Sequence, residues 1–202
     1  MEKLNDYLDP SWTAIFEIDG FSERMGPIRQ SVRPALLSLS ARLSEMLGER
    51  GHLVFPHVAS HMRRRVNPPN ETWLALGPQK RGYKAWGHLG VFIGKGGCSV
   101  RFVVKDEAEG PKKTLGRWLE TDREARLWFE KNREVGDYDM VHGTGLPAPV
   151  LERTPRQIGE RLSGLKTAGL DLGWPVAFST PLKNLVARLE TFVPLYRAAN
   201  GS

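Results

Sequence analysis

A chain of 202 residues, 40% hydrophobic and 26% charged, has the composition of a soluble globular protein and a length that one hydrophobic core serves. No apolar run approaches the roughly 18–20 residues that span a bilayer, and Met1–Trp12 carries acids without the apolar core of a secretory leader, so the cytoplasm is expected and a membrane is not. The single cysteine, Cys98, excludes an intramolecular disulfide and a thiolate zinc site, while a net charge of +6 is compatible with a polyanionic partner.

In chain order, the apolar alternation Trp12–Ile18 predicts a strand. Apolar residues at 28, 32, 35, 36, 39, 43, 46 and 47 then follow the spacing of an amphipathic helix. Pro34 should kink that helix or restart it, and Gly48 and Gly51 end it. His52–Phe55 predicts a short buried strand or an extended lead-in, stopped by Pro56. A helix carrying both His57 and His61 is expected next, ending near Arg63–Arg65, because Val66-Asn67-Pro68-Pro69 favours extended backbone. Strands are predicted at 72–76, 88–93 and 98–104, the last two joined as a hairpin through Gly94-Lys95-Gly96-Gly97. That glycine turn lacks the spacing of a phosphate loop.

A charged helix is expected over 112–133, with Leu115, Trp118, Leu119, Leu127 and Trp128 buried. Tyr138–His142 predicts a short strand. Thr154-Pro155 with Gln157 reads as a capping box and a first-turn proline, and Thr180-Pro181 repeats the threonine cap. The helix after Thr180 carries Leu182, Leu185, Val186, Leu189, Phe192, Val193 and Tyr196 on one face, and Trp174–Phe178 predicts a strand between the two helices. No repeat or linker divides the chain. The expected architecture is α+β: one domain over 1–202, with 199–202 a frayed tail, and a central antiparallel or mixed sheet with helices packed on it.

The charge is unevenly placed. The segment His57–Lys84 holds Arg63, Arg64, Arg65, Lys80, Arg81 and Lys84 against one acid, Glu71, a balance of +5. His57 and His61, four apart, would share a helix face, and that spacing suits a metal with a third imidazole from His52, His88 or His142. The zinc-protease pattern needs a glutamate where Val58 stands, so a hydrogen-bonded structural role is the stronger reading and no metal or cofactor is assigned. In Gln79–Lys84, Gly82 lets the backbone approach a ligand, Lys80, Arg81 and Lys84 supply positive charge, and Tyr83 can stack on a ring or donate to an oxyanion. Trp73 and Trp86 read as packing residues, either of which would also wall a pocket. Cys98, opening an apolar alternation, is expected to be buried, and no serine has the nucleophile-elbow context. The acid pairs Asp137/Asp139 and Glu107/Glu109 are expected to be solvated.

The segment Phe55–Trp73 (FPHVASHMRRRVNPPNETW), followed by Lys80–Lys84 (KRGYK) and His88, resembles the signature of the YktB-like proteins, a bacterial family without an assigned function. Arg24-Met25, Val32-Arg33-Pro34 and Pro194–Ala198 extend the resemblance over most of the chain. Arg65 stands where the family more often has a small residue, and Gly87 where it usually has proline. The resemblance implies a single α+β domain in the bacterial cytoplasm and brings no catalytic residue with it.

The functional expectation is a binding module for an anionic, phosphate-bearing ligand, a nucleic acid or a nucleotide. Its candidate residues are His57, His61, Arg63, Arg64, Asn67, Trp73, Lys80, Arg81, Tyr83, Lys84 and His88. Two alternatives stand beside it. One is an enzyme acting on a phosphorylated or acidic substrate through histidine acid/base chemistry. The other is a non-catalytic domain in which the motif joins helix to sheet and function lies in a protein partner.

Overall fold

The apolar alternations at 71–77, 88–94 and 97–104 build the centre of a sheet whose two faces differ in kind. The structure is a computed structural model that describes residues 1–62 and 66–201. Among these, strands β1 (Phe55–Val58), β2 (Glu71–Gly77), β3 (His88–Gly94), β4 (Gly97–Val104), β5 (Gly136–Asp137) and β6 (Leu170–Val176) form one antiparallel sheet in the order β1-β2-β3-β4-β6-β5. The hairpin between β3 and β4 closes at Gly94 opposite Gly97, as expected from its glycines, with Gly97 in the left-handed region at φ 99°.

Helices α1 (Phe21–Pro27), α2 (Arg33–Gly48), α3 (Glu109–Thr121), α4 (Arg123–Lys131), α5 (Pro155–Gly164), α6 (Leu182–Thr191) and α7 (Val193–Asn200) complete an α+β domain. The core lies on the sheet face that carries Leu74, Leu76, Val91, Ile93, Val100, Phe102, Leu170 and Leu172. Against it pack Leu36, Leu39, Leu43, Leu115, Leu119, Leu185, Leu189 and Phe192 from the helices. No described helix is long and apolar enough to cross a membrane.

Several sequence expectations are corrected. Trp12–Ile18 is not a strand: Pro10–Glu17 is a 3-10 helix, started by the Asp9 carboxylate, which accepts from the Ser11 N–H at 2.8 Å. The long first helix begins at Phe21 and passes through one wide π turn, Ile28–Val32, where Arg33 N–H reaches the Ile28 carbonyl. That turn lies between Pro27 and Pro34, where each proline ring would crowd an ordinary helical ladder.

His57 lies on no helix. Phe55–Val58 pairs with β2 from Phe55 opposite Gly77 to Val58 opposite Leu74. Pro56 does not stop this strand, because β1 is at the sheet edge and needs no N–H on its outer side. His61 follows with φ at 50°, so the expected shared helix face of His57 and His61 does not exist. The expected end of that helix, at Arg63–Arg65, lies outside the described residues.

The stretch 112–133 is two helices, broken where Asp122 turns extended and its carboxylate caps α4 at Glu124 N–H, 2.7 Å away. Leu127 on α4 is exposed rather than buried. Tyr138–Val141 is a 3-10 turn and not a strand, and Asp137 just before it is buried. The Thr154 capping box forms as read, with Gln157 reaching back to the Thr154 N–H at 2.9 Å. Pro181, by contrast, is itself the residue that caps α6, with no threonine side-chain bond. The final helix divides at Phe192 because Pro194 cannot continue the ladder of α6. At its end the Asn200 amide donates to Gly87 O at 2.9 Å and accepts from Gly87 N–H at 3.0 Å.

Candidate functional site

The sheet face opposite the core is built on the other parity of the same strands. The register aligns Trp73 with Phe92 and Ser99, then Ala75 with Gly90, Arg101 and Gly173, then His88 with Val103 and Asp171. The middle row is small everywhere except at Arg101, and that allows large planar groups to lie flat. A Cβ at Gly90 would come within 2.8 Å of the Phe92 ring, and one at Gly173 within 2.7 Å of Arg101 Cγ.

The Arg101 guanidinium is sandwiched between Phe92, 4.1 Å to the ring centroid, and Tyr138, 3.7 Å. It holds Glu71 through two nitrogens, at 2.8 and 3.3 Å, Asp171 at 3.4 Å and Ser99 Oγ at 2.8 Å. All four residues are buried. Burial pushes the Asp171 carboxyl up, but Arg101 and then His142 and Lys105 outweigh it, so the group is held below the usual carboxylate range. The loop at Gly145–Pro147 closes over this network, with Gly96 N–H donating to Gly145 O at 2.7 Å, and leaves about 10 Å³ of space beside Arg101. Arg101 is therefore a neutralised, enclosed cation and not one presented to solvent.

Beyond Phe92 the row opens. Trp73 stacks on Phe92 at 5.4 Å between centroids and remains part-exposed. Its indole N–H donates to the Tyr83 hydroxyl at 3.2 Å. Tyr83 comes from the Gly82–Ala85 turn, where Gly82 takes φ 68°, a conformation that costs glycine little. The Tyr83 ring lies between two imidazoles, 5.1 Å from His57 and 5.0 Å from His88, the latter edge-on. His57 Nε2 donates to Gln79 O at 2.9 Å, since a carbonyl only accepts. His61 bonds Thr72 Oγ1 at 3.0 Å and meets Trp73 edge-on at 5.4 Å.

His88 is wholly buried. Its Nδ1–H donates to Trp86 O at 3.1 Å, which leaves Nε2 as a lone pair with no partner among the described residues. Burial drives its pKa down to about 4, so the ring is neutral.

One cation on this face escaped the sequence reading. Lys105, just past the end of β4, holds its Nζ 5.5 Å from the Trp73 ring centroid. No carboxylate or hydrogen-bond acceptor among the described residues meets that ammonium, and burial is the main reason its pKa is lowered, with Lys84 and Arg101 adding to the effect against Asp171 and Glu71.

The structure thus brings His57, Trp73, Tyr83 and His88 into one cluster, with His61 at its rim. Lys84 stands electrostatically close to Lys105, while Lys80, Arg81 and Asn67 are exposed and make no side-chain hydrogen bond with the described residues. Arg63 and Arg64 lie outside the described residues. Reading parity along Cys98–Lys105 was the available signal for what was missed: Ser99, Arg101, Val103 and Lys105 must share a face. Glu71, Asp171 and the half-exposed His142, whose Nδ1 is 3.7 Å from Asp171, had no such signal, because only strand pairing brings them there. Arg24, part of the family resemblance, is buried and donates to Pro69 O at 3.1 Å and Asn70 Oδ1 at 3.0 Å, which anchors the turn leading into β2.

Residues 11–191 match the model of a domain of unknown function, DUF1054. The chain is 32% identical over 200 residues to a UPF0637 protein of Bacillus cytotoxicus, covering 93% of this chain and 94% of that one. It is 30% identical over 196 residues to a UPF0637 protein of Bacillus mycoides, covering 92% and 94%, and 30% identical over 200 residues to one of Bacillus cereus, with the same coverage. With an α+β fold matching what the signature implies and relatives aligned along nearly their whole length, the chain belongs to the DUF1054, or YktB-like, family.

Proposed function

We propose that the open end of the polar sheet face binds an anionic, phosphate-bearing ligand, with a nucleotide-sized molecule fitting it better than an extended nucleic acid. One observation carries this reading: the Lys105 ammonium sits against the part-exposed Trp73 indole with no carboxylate in ion-pair contact among the described residues, Glu71 and Asp171 being paired with Arg101 instead. A part-buried, unneutralised cation beside an aromatic surface suits an anion attached to a planar group, which gains both charge pairing and stacking. The Tyr83 hydroxyl already accepts from Trp73 and keeps its own proton to donate. Lys84, next to Tyr83 in the 80–84 loop, adds positive potential at the mouth.

The test is calorimetric titration with inorganic phosphate and nucleoside mono- and triphosphates. Lys105→Met should weaken binding about tenfold or more, since a charge-assisted hydrogen bond contributes about 1.5–3 kcal/mol. Combined alanine substitution at Lys80, Arg81 and Lys84 should weaken it less for a small ligand and dominate for RNA, whose affinity would fall linearly with log salt. If no anion binds and Lys105→Met alters only stability, the cluster is a structural network and this reading fails.

A further inference from the structure

Lys105 has the surroundings of a reactive amine as well as those of an anion anchor. We propose that Lys105 is a nucleophile that forms an imine with a small anionic aldehyde or ketone held against the same Trp73 end of the sheet face, a proposal that rests on the anion-binding reading above. Its Nζ lies 5.5 Å from the centre of Trp73 and is tied to no acceptor among the described residues, so nothing must be broken before it attacks a carbonyl carbon. Burial of the side chain is the largest influence disfavouring its protonated form, with Lys84 and Arg101 adding to it, and together they prevail over the Asp171 and Glu71 carboxylates, which raises the share of neutral amine.

Tyr83 and Asp171 are the groups proposed for the remaining proton movements, the first meeting the same Trp73 indole as Lys105 and the second lying across the β4–β6 pair. The Tyr83 hydroxyl, fixed by the Trp73 N–H at 3.2 Å, retains its proton, and its raised pKa, caused chiefly by burial, keeps that proton on at neutral pH. Asp171 is diagonal to Lys105 across the β4–β6 pair, two positions along from Arg101. It remains a carboxylate, and its Oδ1 has no partner among the described residues.

The step balances without an oxidant or reductant. A C–N bond forms as the carbonyl electrons move to oxygen, which takes a proton, in this arrangement from Tyr83. One nitrogen proton then returns to Tyr83 and the second passes to the departing hydroxyl as the C–O bond breaks, so the products are the imine and one water. The anionic group of the substrate would hold against Lys84 while the carbonyl faces Lys105. A lysine serving only as a point charge on phosphate would show none of this chemistry.

The experiment uses pyridoxal 5′-phosphate, an aromatic aldehyde bearing a phosphate, as the probe, with borohydride reduction and peptide mapping of the intact protein. The expected result is an adduct on Lys105 before any on the exposed Lys80 or Lys84, suppressed by inorganic phosphate and absent in Lys105→Met. Labelling that follows exposure, with Lys80 and Lys84 modified and Lys105 untouched, overturns the proposal. Because the wild-type protein is the main sample, a folding defect in the variant cannot mask the outcome. If phosphate binds and Lys105→Met weakens it while Lys105 stays unlabelled, only the imine proposal fails. If Lys105 is labelled equally by an uncharged aromatic aldehyde and phosphate gives no protection, the anion reading fails instead.

Discussion

Between pH 6.5 and about 5, acidification should weaken this fold chiefly through His88. Its ring is fully buried, its Nδ1–H is committed to Trp86 O, and its folded pKa is pushed down to about 4 from 6.5. Above pH 6.5 folded and unfolded chains both hold a neutral ring, and the stability is complete. As the pH falls through 6.5 the unfolded chain takes up a proton that the folded one refuses, so stability drops until about pH 4, below which both states are protonated. From the two values the loss is about 2 kcal/mol at pH 5 and about 3 kcal/mol in full, out of a typical total of roughly 5–15 kcal/mol.

Asp171, held low, loses its contribution only as the pH falls through its still lower folded value. Asp137, raised mainly by burial, works in the opposite direction and stabilises as it takes up its proton. The slope between pH 5 and 6.5 therefore belongs to His88 more than to either acid. Urea unfolding followed by tryptophan fluorescence at several pH values measures it, and His88→Asn, which keeps a donor for Trp86 O without a titrating ring, should flatten the slope. A wild-type protein equally stable at about pH 5 and pH 7, or an Asn variant with an unchanged slope, would refute the account of His88 as an enclosed neutral base.

Removing the guanidinium by Arg101→Met leaves Glu71 and Asp171 buried without their partner and should cost about 3–5 kcal/mol in chemical denaturation. Arg101→Lys should rescue little, since an ammonium reproduces neither the two-nitrogen grip on Glu71 nor the stacking between Phe92 and Tyr138. Gly173→Ala places a methyl against Val100 O and Arg101 Cγ and should destabilise by about 1–3 kcal/mol, whereas Gly48→Ala at the end of α2, with open space around it, should be neutral or slightly stabilising. Tyr83→Phe removes the acceptor for the Trp73 N–H and should lower stability by about 1 kcal/mol in the same urea assay.

The candidate stretch His57–Lys84 shows where reading along a chain stops working. The basic 80–84 loop, its Gly82 turn and Tyr83 were legible, because glycine, charge and an aromatic residue announce an exposed loop by their own chemistry. The reading of His57 and His61 as helix partners failed for a physical reason. Phe55–Val58 is too short to show a period, and Pro56 looks like a stop unless the strand is known to be at an edge. Lys105 was passed over because a lysine at the end of an apolar run normally faces solvent. Only its placement over Trp73, two strands away in the sheet, changes its meaning.

What sequence alone determined was local. The capping box at Thr154, the Gly94–Gly97 turn and the apolar parity of β2, β3 and β4 are set by hydrogen bonds and side-chain alternation over a few residues. The family signature told the same story. Tertiary structure decided everything that depends on pairing between distant segments: that Gly90 and Gly173 flank Arg101, that two carboxylates from β2 and β6 enclose its charge, and that Lys105 forms no ion pair among the described residues. Strand register has a period of two and no local memory of its partner, so the neutralised cation and the free one, four residues apart in one strand pattern, become different only when the sheet is assembled.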